Sequence, residues 1–431
     1  NHYDHNTLGN YVKQTYNVKY GTTFSSQDKA NAMINEYIET LKTSPEDRVD
    51  TNITISPQPQ ATIVVMDQYT GYVKAMVGGR GEKKSNMSLN RATQSVRQPG
   101  SCFKVLTTFV PALDVKDNSL STIIKDEPYR YKSNGEYVKN HWGGYRGDLT
   151  IRYCIEQSAN VCTVKKYAEV TPAVGLDYLV NKFHFSTIDK VNDSGESACL
   201  GGITNGVYNI EMTAAYAAIA NGGVYTEPIL YTHIYDHEGN LLYENLPATN
   251  VAMKQSTASL ITDAMRGVVT HGTGSMTRLS GIPSAGKTGT TTDDCDFWFS
   301  GYTPYLTASV WGGYDDHQSM SGSSSFHKLI WRKVMQRIHD TYDYKSKTFE
   351  MSKDVKRATI CKETGLLAKD DTCTKYTEYF ATGLIPKKTC EGHAKKEEAT
   401  TDNNKTTGNA TQSNATSNTS QNTTEEPNNT P

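Results

Sequence analysis

The sequence predicts an α+β fold, in which an antiparallel five-stranded sheet is flanked by helices and accompanied by an all-helical subdomain. Two strands come first, in "ATIVVMDQYTGYVKAMVGG", and are joined by a turn at residues 67–71. Three more follow from about residue 284, in "SAGKTGTT", "DFWFSGY" and "YLTASVWGGY". Helical patterns occupy the stretch between. A hairpin, a helical block and three late strands are typical of an antiparallel sheet covered by helices.

The helices of this plan can be assigned in order. After Pro99-Gly100, "SCFKVLTTFVPAL" predicts a buried helix with Ser101 in its first turn. "LTIRYCIEQSANVCTVKKYAEV" predicts two helices separated by a break at residues 158–160. "NIEMTAAYAAIANGG" predicts an alanine-rich helix ended by glycines, and "FHKLIWRKVMQRIHDTY" predicts a final amphipathic helix.

Composition divides the 431 residues into four segments. Residues 1–56 are polar and are interpreted as a linker or the edge of a missing N-terminal domain, with one helix in "SSQDKANAMINEYIETLKT" that Ser25 or Ser26 could cap. Residues 57–345 form the main domain and 346–393 a cysteine-containing extension. Residues 394–431, rich in Thr and Asn, carry too few apolar side chains to fold and are predicted to be a disordered tail.

Charge and cysteine content exclude several functions. The net charge of -2 indicates no nucleic-acid partner, and no apolar run approaches the length of a membrane span. The chain begins at Asn1 without an initiator Met, so we expect a fragment whose membrane anchor lay in the missing part. The eight cysteines include no Cys-x2-Cys pair, and we count no histidine at zinc spacing, so a metal site is not expected. No cofactor is expected either. Cys361, Cys373 and Cys390 could form one disulfide.

The stretch "GIPSAGKTGTT", residues 281–291, fits two chemistries. It satisfies the phosphate-loop pattern G-x4-G-K-[ST], which requires a buried strand before it and a helix starting at the Lys-Thr pair. The sequence before it, "THGTGSMTRLS", is polar and broken by glycines, and "GTTTDDCDFW" after it favours a strand. The phosphate interpretation is therefore disfavoured.

The alternative is serine acyl transfer, which needs two further elements. Ser101-x2-Lys104 lies at a predicted helix start, Ser158-Ala159-Asn160 at a helix break, and Lys287-Thr288-Gly289 supplies the third element. In this order the trio is the pattern of class A β-lactamases and penicillin-binding proteins. The middle residue of the second element, Ala159, departs from the Asp of that pattern.

Each residue type has a physical role in this chemistry. Ser101 is a weak nucleophile until a base removes its proton, and Lys104, three residues along the helix, is the base if its amine is neutral. Burial and a second cation, Lys287, would lower the pKa of Lys104 from about 10.4 toward roughly 7–8. The backbone N–H groups of Ser101 and Thr290 are the candidates for the oxyanion hole.

The remaining residues are expected to hold the substrate. Asn160 can hold Lys104 and a substrate amide, and Ser158 can pass a proton to the leaving amine. Lys287, with the hydroxyls of Thr288 and Thr290, would bind a carboxylate. Simpler roles stay open: Ser158 could cap a helix, Thr290 could be an ordinary strand residue, and Lys104 a surface lysine.

Another motif to consider is "GSCF", residues 100–103, which partly matches a cysteine-protease motif. The histidine of that motif would be His233, about 130 residues downstream. The first Cys of that motif is replaced by Pro99, and its final Trp or Tyr by Phe103. Cys102 is therefore a minor alternative as the nucleophile.

The sequence resembles the transpeptidase domain of class A, bifunctional, penicillin-binding proteins. The matching phrases run from about residue 60 to 340: "VKAMVGGR", "NRATQSVRQPGSCFK", "SANV", "EMTAAYAAIANGGVYTEP", "AGKTGTTTDDCDFWFSGYTP" and "VWGGYDD". The resemblance implies a serine β-lactamase/transpeptidase-like fold. It also implies an extracytoplasmic, membrane-anchored enzyme that cross-links peptidoglycan.

In that activity Ser101 would form an acyl-enzyme at a D-Ala-D-Ala stem peptide, an amine of another stem peptide would resolve it, and β-lactams would acylate the same serine. Two alternatives stay open. One is a carboxypeptidase or β-lactamase of the same fold, for which Glu196 is the one acid in a suggestive position. The other is a penicillin-sensing binding domain.

Overall fold

The computed structural model describes residues 3–19, 22–51, 53, 55–83, 86–320, 325–369 and 371–393. By contacts the chain divides into a compact unit, Asn1–Gly392, and a second unit, His393–Pro431, of which only His393 is described. The predicted disordered tail, 394–431, lies outside the described residues. No described helix combines the length and apolar composition that crossing a membrane requires.

The described helices are α1 His5–Tyr16, α2 Gln27–Leu41, α3 Arg91–Gln94, α4 Val110–Val115, α5 Ile151–Glu156, α6 Asn160–Val170, α7 Pro172–Asp177, α8 Asn209–Ala220, α9 Gln255–Thr270 and α10 Phe326–Thr341. Shorter 3-10 turns and two π-helical stretches, Val105–Phe109 and Tyr178–Lys182, extend this set. Every helix that we predicted is present, and α2 is capped by Ser26, whose hydroxyl accepts the Lys29 N–H. The N-terminal helix α1 was not expected.

The described strands are β1 Gln60–Met66, β2 Val73–Val77, β3 Ile123–Asp126, β4 Gly147–Thr150, β5 Val224–Thr226, β6 His233–Tyr235, β7 Leu241–Glu244, β8 Thr249–Val251, β9 Ala285–Thr290, β10 Asp296–Tyr302, β11 Thr307–Gly313, β12 Val355–Cys361 and β13 Lys375–Ala381. Five of them form one antiparallel sheet in the order β2-β1-β11-β10-β9. The predicted α+β fold with its five-stranded sheet is confirmed.

Both faces of this sheet are buried, because successive side chains of a strand point to opposite sides. Met66, Trp298 and Trp311 belong to the large core that the sheet shares with α4, α8 and α9. On the other face, Val65 and Val310 pack with Trp331 of α10. Each such side chain stabilises the fold by about 1.5–3 kcal/mol through burial. The sheet is thereby fixed between two helical layers, with β9 at its edge.

The helical subdomain lies between β2 and β9 in sequence and carries the two serine motifs. The extension beyond α10 is a β-hairpin of β12 and β13. Its buried carboxylate Glu378 pairs with Arg152 of α5, at 2.6 Å between Oε1 and Nη2. Gly365, in the turn after β12, lies so close to Ser121 that a Cβ would come within 2.4 Å of the Ser121 carbonyl oxygen. The hairpin therefore packs directly on the helical subdomain.

Candidate active site

The first motif lies at the start of a helical segment through the centre of the molecule. A 3-10 turn, Gly100–Cys102, leads through the π-helical stretch into α4. Phe103, Leu106 and Phe109 are fully buried and anchor the segment in the core. Ser101 is half-buried at its beginning, and Lys104 follows one turn later on the same face.

The second motif is a sharp turn between α5 and α6. Ser158 has φ +56°, a left-handed conformation that non-glycine residues seldom adopt. The N-cap position of α6 is Ala159, whose side chain cannot cap, so Ser158 is not the helix cap that we considered. The cap comes from Asn140, whose Oδ1 accepts the N–H groups of Asn160 at 2.9 Å and Val161 at 3.2 Å. The turn leaves the Ser158 hydroxyl available to other partners.

Lys104 is fully buried, so it is not a surface lysine. Its Nζ donates to the Ser158 carbonyl oxygen at 2.6 Å, to Ser158 Oγ at 3.1 Å and to Asn160 Oδ1. These contacts join the first two motifs and fix the position of the amine.

Lys287 enters from the opposite side, on β9, and is also fully buried. Its Nζ donates to Ser158 Oγ at 2.9 Å and to the Thr288 carbonyl oxygen at 3.0 Å. The Ser158 hydroxyl therefore lies between two lysine amines. Lys104 and Lys287 are 183 residues apart in the sequence and both contact this atom, so all three motifs meet here.

Burial changes the proton affinity of both amines. The pKa of Lys104 falls well below its usual value, first because burial removes the solvation of the charged form and then because Lys287 is close by. Burial likewise lowers the pKa of Lys287 to about 8. A lysine that acts as the general base needs a lowered pKa. Burial and the nearby cation Lys287 both lower the pKa of Lys104, as we predicted.

Strand β9 approaches the start of the Ser101 helix at van der Waals distance. A Cβ on Gly289 would lie 2.6 Å from the Pro99 carbonyl oxygen and 2.9 Å from Cys102 Sγ, and one on Gly100 would lie 2.7 Å from the Thr290 carbonyl oxygen. Glycine at both positions therefore allows the contact. Thr291 donates its N–H to Asp296 of β10. In an antiparallel ladder the preceding residue, Thr290, then directs its N–H away from β10, toward the open edge.

A cleft of about 760 Å³ opens above these groups. It is lined by Ser101, Ser158, Asn160, Thr288 and Thr290, among others. Lys104 and Lys287 lie beneath the lining residues and contact Ser158, and Gly289 lies between Thr288 and Thr290 on β9. The structure thus brings all eight predicted residues to one site.

Neither the phosphate-loop pattern nor the cysteine-protease pattern forms a site. Gly286, Lys287 and Thr288 lie inside a strand and not at a helix N-terminus, so the phosphate-loop geometry is absent there. Cys102 is fully buried, and burial raises the pKa of its thiol to about 11, which keeps it protonated. It is not a nucleophile of the cleft.

Glu196, the candidate acid for a hydrolytic enzyme, is also buried. Its Oε2 accepts the backbone N–H of Lys132 at 2.6 Å, and it is not among the residues that line the cleft. A hydrolase of this kind needs a carboxylate that activates water at the acyl-enzyme, and Glu196 is not placed for that.

Sequence reasoning missed two residues that support the site. Asn140 caps α6 and is itself held by Asp126 Oδ1 at 2.8 Å; its segment, "VKNHWGG", carries no recognisable motif. Thr273 lines the cleft, with its Oγ1 2.8 Å from Thr288 Oγ1. The sequence signal for Thr273 was the pair of glycines on either side of it in "HGTGS". Glycines at both ends of a turn could have indicated that the turn brings a hydroxyl to the cleft.

Similarity to known proteins extends over most of the chain. Residues 61–336 match the penicillin binding protein transpeptidase domain, and residues 351–395 match the penicillin-binding protein 1A C-terminal domain. Penicillin-binding protein 1A of Clostridium tetani is 32% identical over 359 residues, which are 78% of this chain and 45% of that protein. Penicillin-binding protein 1A/1B of Bacillus subtilis is 30% identical, covering 84% of this chain and 42% of the relative.

Solved structures share the fold. Penicillin-binding protein 1A from Haemophilus influenzae superposes with a TM-score of 0.68 at 22% identity, over 77% of this chain and 55% of that one. The PonA1 protein of Mycobacterium tuberculosis in complex with penicillin V gives a TM-score of 0.59 at 20% identity. The match covers 80% of this chain and 94% of the PonA1 chain. The present chain spans less than half the length of the curated relatives it matches.

Proposed function

The chain belongs to the penicillin-binding protein transpeptidase family, and from this premise we propose that it is a serine D,D-transpeptidase that cross-links peptidoglycan stem peptides. The Ser101 hydroxyl attacks the carbonyl carbon of the D-Ala-D-Ala bond while the neutral amine of Lys104 takes its proton. The N–H groups of Ser101 and Thr290 bind the oxyanion. The C–N bond breaks, and D-alanine leaves with a proton that Ser158 passes to its nitrogen.

The second half of the cycle reverses these roles. The amine of an acceptor stem peptide attacks the Ser101 ester, a new amide bond forms, and the ester C–O bond breaks. The proton lost by the amine returns to the serine oxygen through the same lysine and hydroxyl groups. Lys287, with the Thr288 and Thr290 hydroxyls, binds the terminal carboxylate of the donor. β-Lactams, whose strained amide occupies the place of the D-Ala-D-Ala bond, acylate Ser101.

One observation carries this proposal: Ser158 Oγ lies 3.1 Å from Lys104 Nζ and 2.9 Å from Lys287 Nζ, both buried. A hydroxyl between two amines, one of which has a strongly lowered pKa, is a proton path of the kind that serine acyl transfer needs. The penicillin V complex of PonA1, a protein of the same fold, supports β-lactams as ligands.

The organisation of the chain follows from the same proposal. Residues 57–345 form the transpeptidase domain, residues 346–393 an extension, and residues 1–56 a linker or the edge of another domain. The enzyme acts outside the cytoplasm, where its substrate is, and is held at the membrane by an N-terminal anchor.

A cross-linking assay with a synthetic D-Ala-D-Ala pentapeptide donor and an amine acceptor tests the activity. We expect D-alanine release together with a cross-linked product from this chain, and neither from its Ser101→Ala variant. Release of D-alanine with only the hydrolysed donor would mean a carboxypeptidase. Rapid turnover of a β-lactam would mean a β-lactamase, and either result would refute the proposal.

A further inference from the structure

Three cysteines of the C-terminal extension converge from distant positions. Cys361 ends β12, Cys373 precedes β13, and Cys390 follows the hairpin. Their Sγ atoms all lie within 4.8 Å of one another. This cluster lies outside the catalytic cleft and plays no part in the mechanism above.

The backbone holds this arrangement. Leu367 forms one bridge with Ile360 and another with Thr389, so the residues adjoining Cys361 and Cys390 are tied to the same short segment. Cys361 donates its N–H to the Leu366 carbonyl oxygen, and Cys390 donates to that of Leu367, both at 2.8 Å. The sulfur atoms are brought together by main-chain pairing.

A glycine after the third cysteine shapes the cluster. Gly392 has φ +97°, and a Cβ there would lie 2.6 Å from Oγ1 of Thr372, the neighbour of Cys373. Its N–H donates to Cys390 Sγ at 3.4 Å. That hydrogen bond helps to hold the Cys390 sulfur in the cluster.

The ligand chemistry selects the ion. Zinc takes sulfur and nitrogen ligands in a tetrahedron, with Zn–S bonds of about 2.3 Å, so bound sulfurs lie about 3.8 Å apart. Three thiolates and an imidazole form one of its common structural sets. A histidine stands at the right place in the sequence, because Cys390-Glu-Gly-His393 has the Cys-x2-His spacing.

We propose that Cys361, Cys373 and Cys390 bind one Zn²⁺ as thiolates, with His393, assigned from its sequence spacing, as the fourth ligand. Binding releases the thiol protons and fills the coordination shell, so the ion is structural and ties the hairpin to the segment after it. This differs from the sequence analysis, which expected no metal and one possible disulfide. It found no Cys-x2-Cys pair and no histidine at zinc spacing, and so overlooked the Cys390-x2-His393 pair.

Metal analysis of the whole chain tests the site. The protein is purified under reducing conditions without chelators, and its zinc content is measured by elemental analysis and by native mass spectrometry. We expect one Zn²⁺ per chain, and, after exchange with Co²⁺, the intense thiolate charge-transfer absorption of a tetrahedral sulfur site. Cys373→Ser and His393→Ala should each reduce zinc binding by at least about tenfold.

Matched variants control for thiols and histidines in general. Cys162→Ser, in the core, and His237→Ala, on the surface, should leave one zinc bound. The proposal is overturned if the native chain binds no zinc. Peptide mapping then shows whether two of the three cysteines form a disulfide or all of them are thiols, and either result counts against the site. The proposal is equally overturned if Cys373→Ser binds zinc as tightly as the native chain. The Co²⁺ spectrum needs no variant, so an unfolded variant does not affect that test.

Discussion

Ser158 Oγ accepts hydrogen bonds from two buried lysine amines, an arrangement that is costly when both amines carry charge. Burial opposes both charges, and the nearby Lys287 further opposes the charge of Lys104. Because Lys287 adds to the effect of burial at Lys104, Lys104 is the amine that we expect to be neutral. In the proposed mechanism, two residues of the same type therefore have different roles, Lys104 as a neutral base and Lys287 as a cation.

Lys104→Met should remove the base while keeping a side chain of similar length. We expect the second-order rate constant for acylation by a fluorescent penicillin to fall by about 10²–10⁴. Lys165→Met is the control, since Lys165, in the middle of α6, pairs with Glu127 at 3.0 Å, does not line the cleft and should label normally. Near-normal labelling of Lys104→Met would mean that the base lies elsewhere.

The acylation rate should depend on pH in a bell shape. Below the lowered pKa of Lys104 the base is protonated, so the rate falls as pH falls. Above about 8, Lys287 loses the charge that attracts the substrate carboxylate, so the rate falls again. The second-order constant reports these groups in the free enzyme. A rate that continues to rise well above pH 8 would contradict the assigned role of Lys287.

At the scale of elements, the cleft depends on how closely β9 lies against the start of the Ser101 helix. The Gly289 position has no room for a Cβ, since Pro99 and Cys102 fill it. Any displacement of β9 moves Lys287 and the Thr290 N–H together, because one strand carries both.

Gly289→Ala should therefore slow acylation by about tenfold or more, with a smaller effect on the fold, because a shift of about 1 Å in positioning groups can cost that much. Gly195→Ala is the matched control, since its nearest atom would be Ser197 Oγ at 3.8 Å and its φ is negative. Acylation kinetics and thermal unfolding are measured on both. Unchanged kinetics in Gly289→Ala would show that the close approach is not needed.

Elements with a clear hydrophobic period were predictable, but those whose polar groups find distant partners were not. The buried helix after Pro99 and the strands β9 to β11 follow from local pattern alone. Helix α9 was missed because its buried face contains Thr257 and Thr262. Their hydroxyls bond to Asp114 and Tyr302, contacts that no local rule reveals. The capping of α6 by Asn140 likewise depends on a contact between residues that are distant in the sequence, which local patterns do not reveal.

At the scale of the whole compact unit, the extension is joined to the catalytic domain by a buried ion pair. Arg152 of α5 donates to Glu378 of β13 through two nitrogens, at 2.8 and 2.6 Å, and also to Asp263 of α9 at 2.6 Å. Glu378 is fully buried. Helix α5 leads directly into the Ser158 turn, so the extension supports the segment that holds the catalytic hydroxyl.

Glu378→Gln should lower the free energy of unfolding by about 2 kcal/mol, because it leaves a buried guanidinium with one charged partner fewer. Urea unfolding measures the loss, and limited proteolysis should find the 346–393 segment cleaved sooner. Asp343→Asn, in an exposed pair with Lys345, should have no measurable effect. Equal stability of Glu378→Gln and the native chain would show that the pair does not hold the extension.

The extension shows where sequence reasoning stops. Its cysteines were recognised as neighbours in a polar segment, but the hairpin that brings them together joins strands by pairing across fourteen residues. The sequence, in contrast, predicted the eight residues that lie together at the cleft, because three short motifs each lie on an element with its own strong pattern. The roles of these residues in catalysis and binding stay predictions. The meeting of the three motifs at Ser158 Oγ is what only the coordinates provide.

The central claim is that Ser101 is the nucleophile served by Lys104, and covalent trapping measures it most directly. The native chain and its Ser101→Ala variant are exposed to a β-lactam, weighed intact and mapped by peptide mass spectrometry. We expect one adduct per native chain, located on Ser101, and none on the folded variant. An adduct on any other residue, or labelling that persists in Ser101→Ala, would contradict the account.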